Sequence, residues 1–355
     1  MNKKLSILYI TPNNPHIVTP ETGFAKDLTK LGHDVTVMFA IKEYDPKILE
    51  QKFDIVMGAM EYSMAMANFI AKKLNIPVYN HMEWVPPWRV GQEPIEKWGY
   101  EDITVDKISP EDIEFYKTNY AKQVRDWEDS TIRSCAGKCL IKTIEPFATK
   151  PIDCEIKYYT PNIEKLEIYK DNTLKEKNQI VSIARFVAHK RVVHIIRALA
   201  LIPKEIRPKH IIIGYGRETN SIVNEAKRLD VNVQLVGPGN DGLKEQIIQE
   251  SMFLVTIWAG IPLAEGFYFK KPGISYGEEH MKEVLEDSVL WAEPNNIQDL
   301  ADKILFFLKN PKERKAWGEK GYRLMMTDQI GMGTPMKLAK QVETILYKGI
   351  ERFNK

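Results

Sequence analysis

Apolar positions along this chain follow two alternating patterns. Short uninterrupted runs read as strands, and stripes at helical spacing lie between them. In the first half the runs fall at 5–10, 34–39, 53–58 and 76–81. A helix at about 20–31, with Phe24, Leu28 and Leu31 on one face and Gly32 at its end, links the first two runs. A Met- and Ala-rich helix at 61–74 links the last two. Ser109-Pro110-Glu111-Asp112 predicts a capped helix start, and Ile113, Tyr116, Tyr120, Val124 and Trp127 carry the stripe on to about Arg133. Strands are expected near 138–142 and 155–160, and Pro161-Asn162-Ile163-Glu164 then breaks the chain. The second half repeats the alternation. Its strands are expected at 179–184, 209–214, 232–237, from Leu254, and at 289–291; its helices at 192–202, up to Asp230, and at 242–250, 296–308, 311–326 and 336–353. Strand, helix, strand at these spacings predicts α/β architecture with parallel sheets covered by helices.

A length of 355 residues points to two domains, with the boundary at 161–164. The hydrophobic fraction of 44% and charged fraction of 28% are those of an ordinary globule. Lys+Arg 50 against Asp+Glu 48 leaves a net charge of +2, which argues against a nucleic-acid partner. No apolar stretch approaches the roughly 20 residues that span a bilayer. The N-terminus leads straight into a strand, without the long apolar core of a signal peptide. Cys135, Cys139 and Cys154 read as reduced core thiols of a cytoplasmic protein, and no second Cys pair or His lies near enough to suggest zinc.

The stretch 254–276 carries the strongest chemical signal. An apolar strand breaks at Ala259-Gly260, Pro262 opens a helix with Glu265 in its first turn, and that helix stops near Pro272. At the carboxyl edge of a parallel sheet, such a helix start gathers free N–H groups and a positive dipole end, so an anionic ligand belongs there. Glu265 either accepts from ligand hydroxyls, such as a ribose diol, or only complements the dipole. Arg185, Lys190 and Arg191 follow another strand, where fixed cations suit a diphosphate; solvated loop charge is the plainer reading. Gly214-Tyr215-Gly216 and Gly237-Pro238-Gly239 end two more strands, with glycines that permit close backbone approach to a ligand. Four strand ends, at 185, 214, 237 and 260, thus converge on one polyphosphate ligand. His81 ends a strand of the first half, and Glu83 follows it as an acid, a base or neither. The aromatic, proline-rich loop with Trp84, Trp88 and Trp98 suits sugar faces, lipid or plain packing. The interleaved cations of the 109–133 helix form a solvated face or a membrane-surface patch.

These residues resemble glycosyltransferases of the GT-B fold, specifically the large retaining family 4 (glycosyl transferases group 1). Val181–Lys190 resembles the family's Gly-Arg-Leu-x-x-x-Lys strand exit, and Gly214-Tyr-Gly-Arg-Glu218 its Gly-x-Gly-x-Glu turn. Gly260-Ile-Pro-Leu-Ala-Glu265, followed by Lys271-Pro272, resembles its Gly-Leu-Pro-x-x-Glu and later Gly-x-Pro-Val. Leu31–Val35, the strand 76–81 and the linker at 161–164 also resemble family segments. The resemblance implies two Rossmann-like domains facing a cleft, one of 1–163 plus a last helix at 336–355 that crosses back, the other of 164–335. It implies a hexosyltransferase that moves a sugar from a UDP- or GDP-linked donor with retention and without a cofactor or metal. Catalysis falls to His81, Arg185 and Lys190. The donor is held by Arg185, Lys190, Gly214, Tyr215, Gly237, Gly260, Ile261, Pro262, Leu263 and Glu265. Thr22, Gly23, Glu83 and Trp84 lie on the acceptor side. A sugar, a lipid-linked compound or a protein is the expected acceptor, with peripheral membrane contact left open. Two features depart from the family. Ile257 stands where it carries a second Glu, and Thr22-Gly23 is all that remains of a Gly-Gly loop. Ile257 motivates the alternative of a non-catalytic nucleotide-sugar-binding protein; a GT-B nucleotide-sugar epimerase is a further one.

Overall fold

The computed structural model describes residues 3–11, 20–39, 43–59, 61–82, 110–157, 161–238, 242–258, 260–326 and 335–355. By internal contacts the chain forms two compact units. The first takes Met1–Gln92, Lys107–Thr160 and Thr334–Lys355, and the described residues of Pro161–Gly333 belong to the second.

In the first unit the elements are β1 (Ser6–Thr11), α1 (Pro20–Lys30), β2 (Asp34–Phe39), β3 (Ile55–Ala59), α2 (Glu61–Leu74), β4 (Val78–Met82), α3 (Pro110–Glu128), β5 (Ile132–Cys135), α4 (Lys138–Ile144) and β6 (Glu155–Ile156). The strands form one sheet in the order β2-β1-β3-β4-β5-β6, and every pairing is parallel. Strand side chains alternate between faces. Ile7 and Tyr9 pack with Leu28 of α1 and with Leu338, Val342, Ile345 and Leu346 of the C-terminal helix. Leu8 and Ile10 pack on the other face with Met66, Ala67 and Ile70 of α2. Burial on both faces is why β1 reads as a nearly continuous apolar run.

Two expectations are corrected here. The long helix ends at Glu128 rather than near Arg133, and Ile132–Cys135 is a strand. The Glu128 carboxylate takes the backbone N–H groups of Thr149 and Lys150, and Thr131 N–H already bonds Val78 O in the sheet. The run 138–142 is helical, not extended. Lys138–Ile144 buries Cys139, Leu140, Thr143 and Ile144 on one side, a helical stripe too short for periodicity alone to separate from a strand. Of the strand expected at 155–160 the sheet takes Glu155–Ile156, and 158–160 lie outside the described residues. The three cysteines are free thiols; Cys135 and Cys139 are buried and Cys154 is partly so.

The second unit comprises α5 (Ile163–Ile168), β7 (Gln179–Ile183), α6 (Val192–Ala200), β8 (Lys209–Ile213), α7 (Thr219–Arg228), β9 (Val233–Val236), α8 (Leu243–Glu250), β10 (Leu254–Val255), α9 (Gly260–Tyr268), β11 (Gly273–Tyr276), α10 (Glu279–Leu285), β12 (Val289–Ala292), α11 (Ile297–Lys309) and α12 (Pro311–Met326). The C-terminal helix is α13 (Pro335–Phe353). This sheet is also parallel, in the order β12-β11-β10-β7-β8-β9. Ile180, Ile212 and Val255 face one apolar cluster with α6 and α11. Their neighbours Val181, Ile211 and Leu254 face the other with α9. From β7 the chain builds outward through β8 and β9, then returns to the other flank of β7 and builds through β11 and β12. The order therefore reverses between β7 and β10, and the carboxyl ends of such a strand pair open into a crevice. Among the described residues no helix is long and apolar enough to cross a membrane.

Candidate functional site

The β7 and β10 exits meet at this reversal. After β7, Arg185 is exposed, Ala188–Lys190 makes one helical turn, and Arg191 adopts a left-handed conformation before α6. After β10, Ile257 turns into the core at 1% exposure. Trp258 then takes a left-handed conformation with φ 54°. The Lys190 ammonium donates to the Trp258 carbonyl, so one exit loop is latched to the other. The Trp258 ring lies 4.0 Å from the His280 ring of α10 and 6.5 Å, edge-on, from His189.

The charge here is strongly one-sided. Burial, with Arg185 close by, brings the Lys190 ammonium down to about 8. Burial, reinforced by Lys190, Arg185, Arg191 and Arg217, holds His189 near 3, so its ring is neutral at pH 7. Arg191 is 3% exposed and pairs with Glu278 at 2.9 Å, its guanidinium 5.7 Å above the Tyr276 ring. Arg191 is therefore engaged with a carboxylate within the fold, while Arg185 is exposed and Lys190 holds the Trp258 carbonyl. The amino end of α9, Gly260-Ile261-Pro262, starts on the same strand exit and brings its dipole there. Leu263 is fully buried against β11, so its contribution is limited to backbone.

Glu265 requires a correction. The helix begins at Gly260, two residues before Pro262, which places Glu265 in the second turn. Its carboxylate accepts from Lys244 of α8 at 2.5 Å. Burial raises its pKa, and the Lys244 charge opposes that rise. Glu245, fully buried beside it, lies 3.5 Å from the same ammonium and 3.9 Å from Lys165. Lys244 thus bridges Glu265 and Glu245, so Glu265 is not a simple partner of the helix dipole.

Of the glycines expected to approach a ligand, Gly214 and Gly216 lie tight against the β7 exit. A Cβ on Gly214 would sit 1.9 Å from Ala184 O, and one on Gly216 2.4 Å from Phe186 O. With φ near 150° at both, this turn is glycine-only because it lies directly on the β7 exit. Phe186 N–H bonds Tyr215 O, and Glu218 N–H bonds Phe186 O. Tyr215 stands 64% exposed at the tip of this turn. Gly237 has open space around it at the end of the outer strand β9, two strands from the reversal.

His81 belongs to the first unit. It lies in register with Ala59 and Ser134 at the carboxyl end of β4 and is 1% exposed. Its Nδ1 is 2.7 Å from the Ser134 hydroxyl, which also meets the Tyr79 hydroxyl at 2.6 Å. Burial, then the Lys157 charge, lowers its pKa well below the usual histidine range. Thr22 and Gly23 fall on α1 with side chains outside the described residues, as Glu83 and Trp84 are entirely. The contacts of Trp258, Lys244 and Ser134 were not visible in the linear pattern, because each partner comes from a distant strand exit or helix. Among the described residues no group of three or more His, Cys, Asp or Glu is arranged to hold a metal ion.

Residues 164–324 match the family model described as glycosyl transferases group 1. No curated protein matches the sequence. The structure is similar over 97% of this chain and 100% of the other to Anabaena HepE in complex with UDP and glucose, with TM-score 0.69 and 13% identity. The chain has the GT-B fold. A GT-B chain of the same extent is sucrose-phosphate synthase of Thermosynechococcus elongatus, with TM-score 0.69, 11% identity and 97% and 99% coverage. Another is WaaG, a glycosyltransferase involved in lipopolysaccharide biosynthesis, with TM-score 0.64, 16% identity and 96% and 99% coverage. In these GT-B terms, the second unit carries both the family match and the strand-order reversal with its cations.

Proposed function

We propose that this protein transfers a hexosyl group from a nucleoside-diphosphate sugar to an acceptor hydroxyl, with retention and without a required metal. The carrying observation is the cationic latch at the β7–β10 reversal: Lys190, partly buried next to Arg185 and beside the amino end of α9. Breaking a sugar–phosphate bond builds negative charge on the departing diphosphate. Preorganised cations and helix amides lower the barrier by stabilising that charge. Arg185 and Lys190 take this role, with Glu265 in reach of donor hydroxyls from the second turn of α9. The UDP of the HepE complex favours a uridine donor, with guanosine as the alternative.

The test is a panel of UDP- and GDP-sugars with simple glycoside acceptors, read as released nucleoside diphosphate and glycosylated product. Turnover with one donor is expected, and Lys190→Ala lowers kcat/KM by roughly 100-fold. Turnover at the wild-type rate in that variant rejects the role of Lys190. A second reading, a protein that binds the donor without turnover, is favoured by Ile257, whose burial leaves an apolar side chain at that strand exit. Donor binding with no product from any acceptor decides for it.

A further inference from the structure

We propose that Trp258 determines donor-sugar specificity, its indole N–H donating to an oxygen of the transferred sugar; this rests on the donor reading above. Three separate observations meet at this residue. The first is position. Its carbonyl holds the Lys190 ammonium across the β7–β10 reversal, so the residue lies within one hydrogen bond of the cation that meets the diphosphate. In a sugar nucleotide, the sugar is bonded directly to that diphosphate. The second is conformation. A bulky aromatic residue at φ 54° is an outlier that surrounding structure must enforce. Here the His280 ring at 4.0 Å and the latch on the carbonyl enforce it. The third is an unmet donor. The indole N–H is buried and reaches no acceptor among the described residues. Buried polar groups nearly always have partners, so a lone N–H at a ligand crevice points to an acceptor that arrives with the ligand.

The chemistry follows from these constraints. Indole donates and cannot accept. The neutral His189 edge and the His280 ring keep it in place, and Ile257 beside it is apolar and buried. The group recognised is therefore an acceptor oxygen on the sugar: a hydroxyl, an acetamido carbonyl or a carboxylate.

Calorimetric titration with UDP, GDP and their glucose, N-acetylglucosamine, glucuronate and mannose conjugates tests this on the full chain. Trp258→Phe keeps an aromatic ring and removes the N–H. For the preferred donor, the ratio of nucleotide-sugar affinity to nucleoside-diphosphate affinity is expected to fall roughly fivefold, the value of one ordinary hydrogen bond. The nucleoside-diphosphate affinity itself is expected to stay within about twofold. Equal losses for both ligands, or no loss for either, overturn the inference. In wild-type protein labelled with indole 15N, the Trp258 resonance is expected to move downfield with the nucleotide sugar and not with the nucleoside diphosphate; an unmoved resonance also overturns it. Should Trp258→Phe not fold, Trp258→Leu, which also lacks the N–H, supplies the assignment and the same comparison. Wild-type protein that binds neither UDP nor GDP refutes the donor reading and this inference together. Intact diphosphate binding with an unchanged ratio in Trp258→Phe refutes this inference alone.

Discussion

Burial beside Arg185 leaves Lys190 with a pKa of about 8 against its ordinary 10.5, so its charge changes just above neutral pH. A diphosphate binds the charged form, and above pH 8 binding must take up a proton. Nucleoside-diphosphate affinity is therefore expected to be flat from about pH 7 to 7.5 and to fall by up to roughly tenfold per pH unit above 8. Titration calorimetry at several pH values measures the slope, and Lys190→Gln is expected to abolish it. For folding the sign is opposite. The unfolded chain holds the proton more tightly, so this residue contributes rising stability as pH increases from about 8 towards 10.5. Arg191 behaves differently, because Glu278 compensates it inside the fold. Glu278→Gln removes the carboxylate charge that Arg191 meets at 2.9 Å and is expected to lower unfolding free energy by about 1–3 kcal/mol, read by chemical denaturation. The linear pattern placed Arg185 and Lys190 at a strand exit. It did not separate them from Arg191, since only the fold shows that Arg191 meets a carboxylate, Glu278, while Lys190 meets a carbonyl.

Element boundaries decide how the exit loops are used. The β7 and β8 exits touch at Gly214 and Gly216, where a side chain would strike Ala184 and Phe186 carbonyls. Gly214→Ala must either break the φ of 147° or push the β7 exit aside. A loss of at least about 2 kcal/mol in unfolding free energy is expected, with weaker nucleoside-diphosphate binding because Arg185 and Lys190 sit on the displaced loop. A stable protein with unchanged affinity contradicts this account. Most strands and helices were legible as runs and stripes, because parallel strands buried on both faces leave a strong apolar signature. Two were not. Lys138–Ile144 is too short for its period to separate helix from strand, and the two residues before Pro262 gave no sign that α9 starts at Gly260. That earlier start is what moves Glu265 off the first turn and towards Lys244.

At the scale of the chain, the first unit is completed by its last residues. Leu338, Val342, Ile345 and Leu346 of α13 fill one face of the β1–β3 sheet, with Leu28 of α1. Leu346→Ala is expected to cost about 2–5 kcal/mol by opening a cavity there. Deletion of Pro335–Lys355 removes that whole face of the core, and loss of cooperative melting by circular dichroism checks it. The second unit carries the match to glycosyl transferases group 1 over residues 164–324. Mutations that affect nucleotide binding are expected to concentrate there.

The order of apolar runs and stripes determined the α/β class, the parallel sheets and the strand exits where cations and glycines fall, because those depend on local period and on burial of both strand faces. Tertiary structure alone decided which of these residues act together. The reversal of strand order puts Lys190 against Trp258, 68 positions away, and gives Glu278 to Arg191 and Lys244 to Glu265. Those pairings depend on distances between strand exits and helices remote in the chain, which no local period encodes.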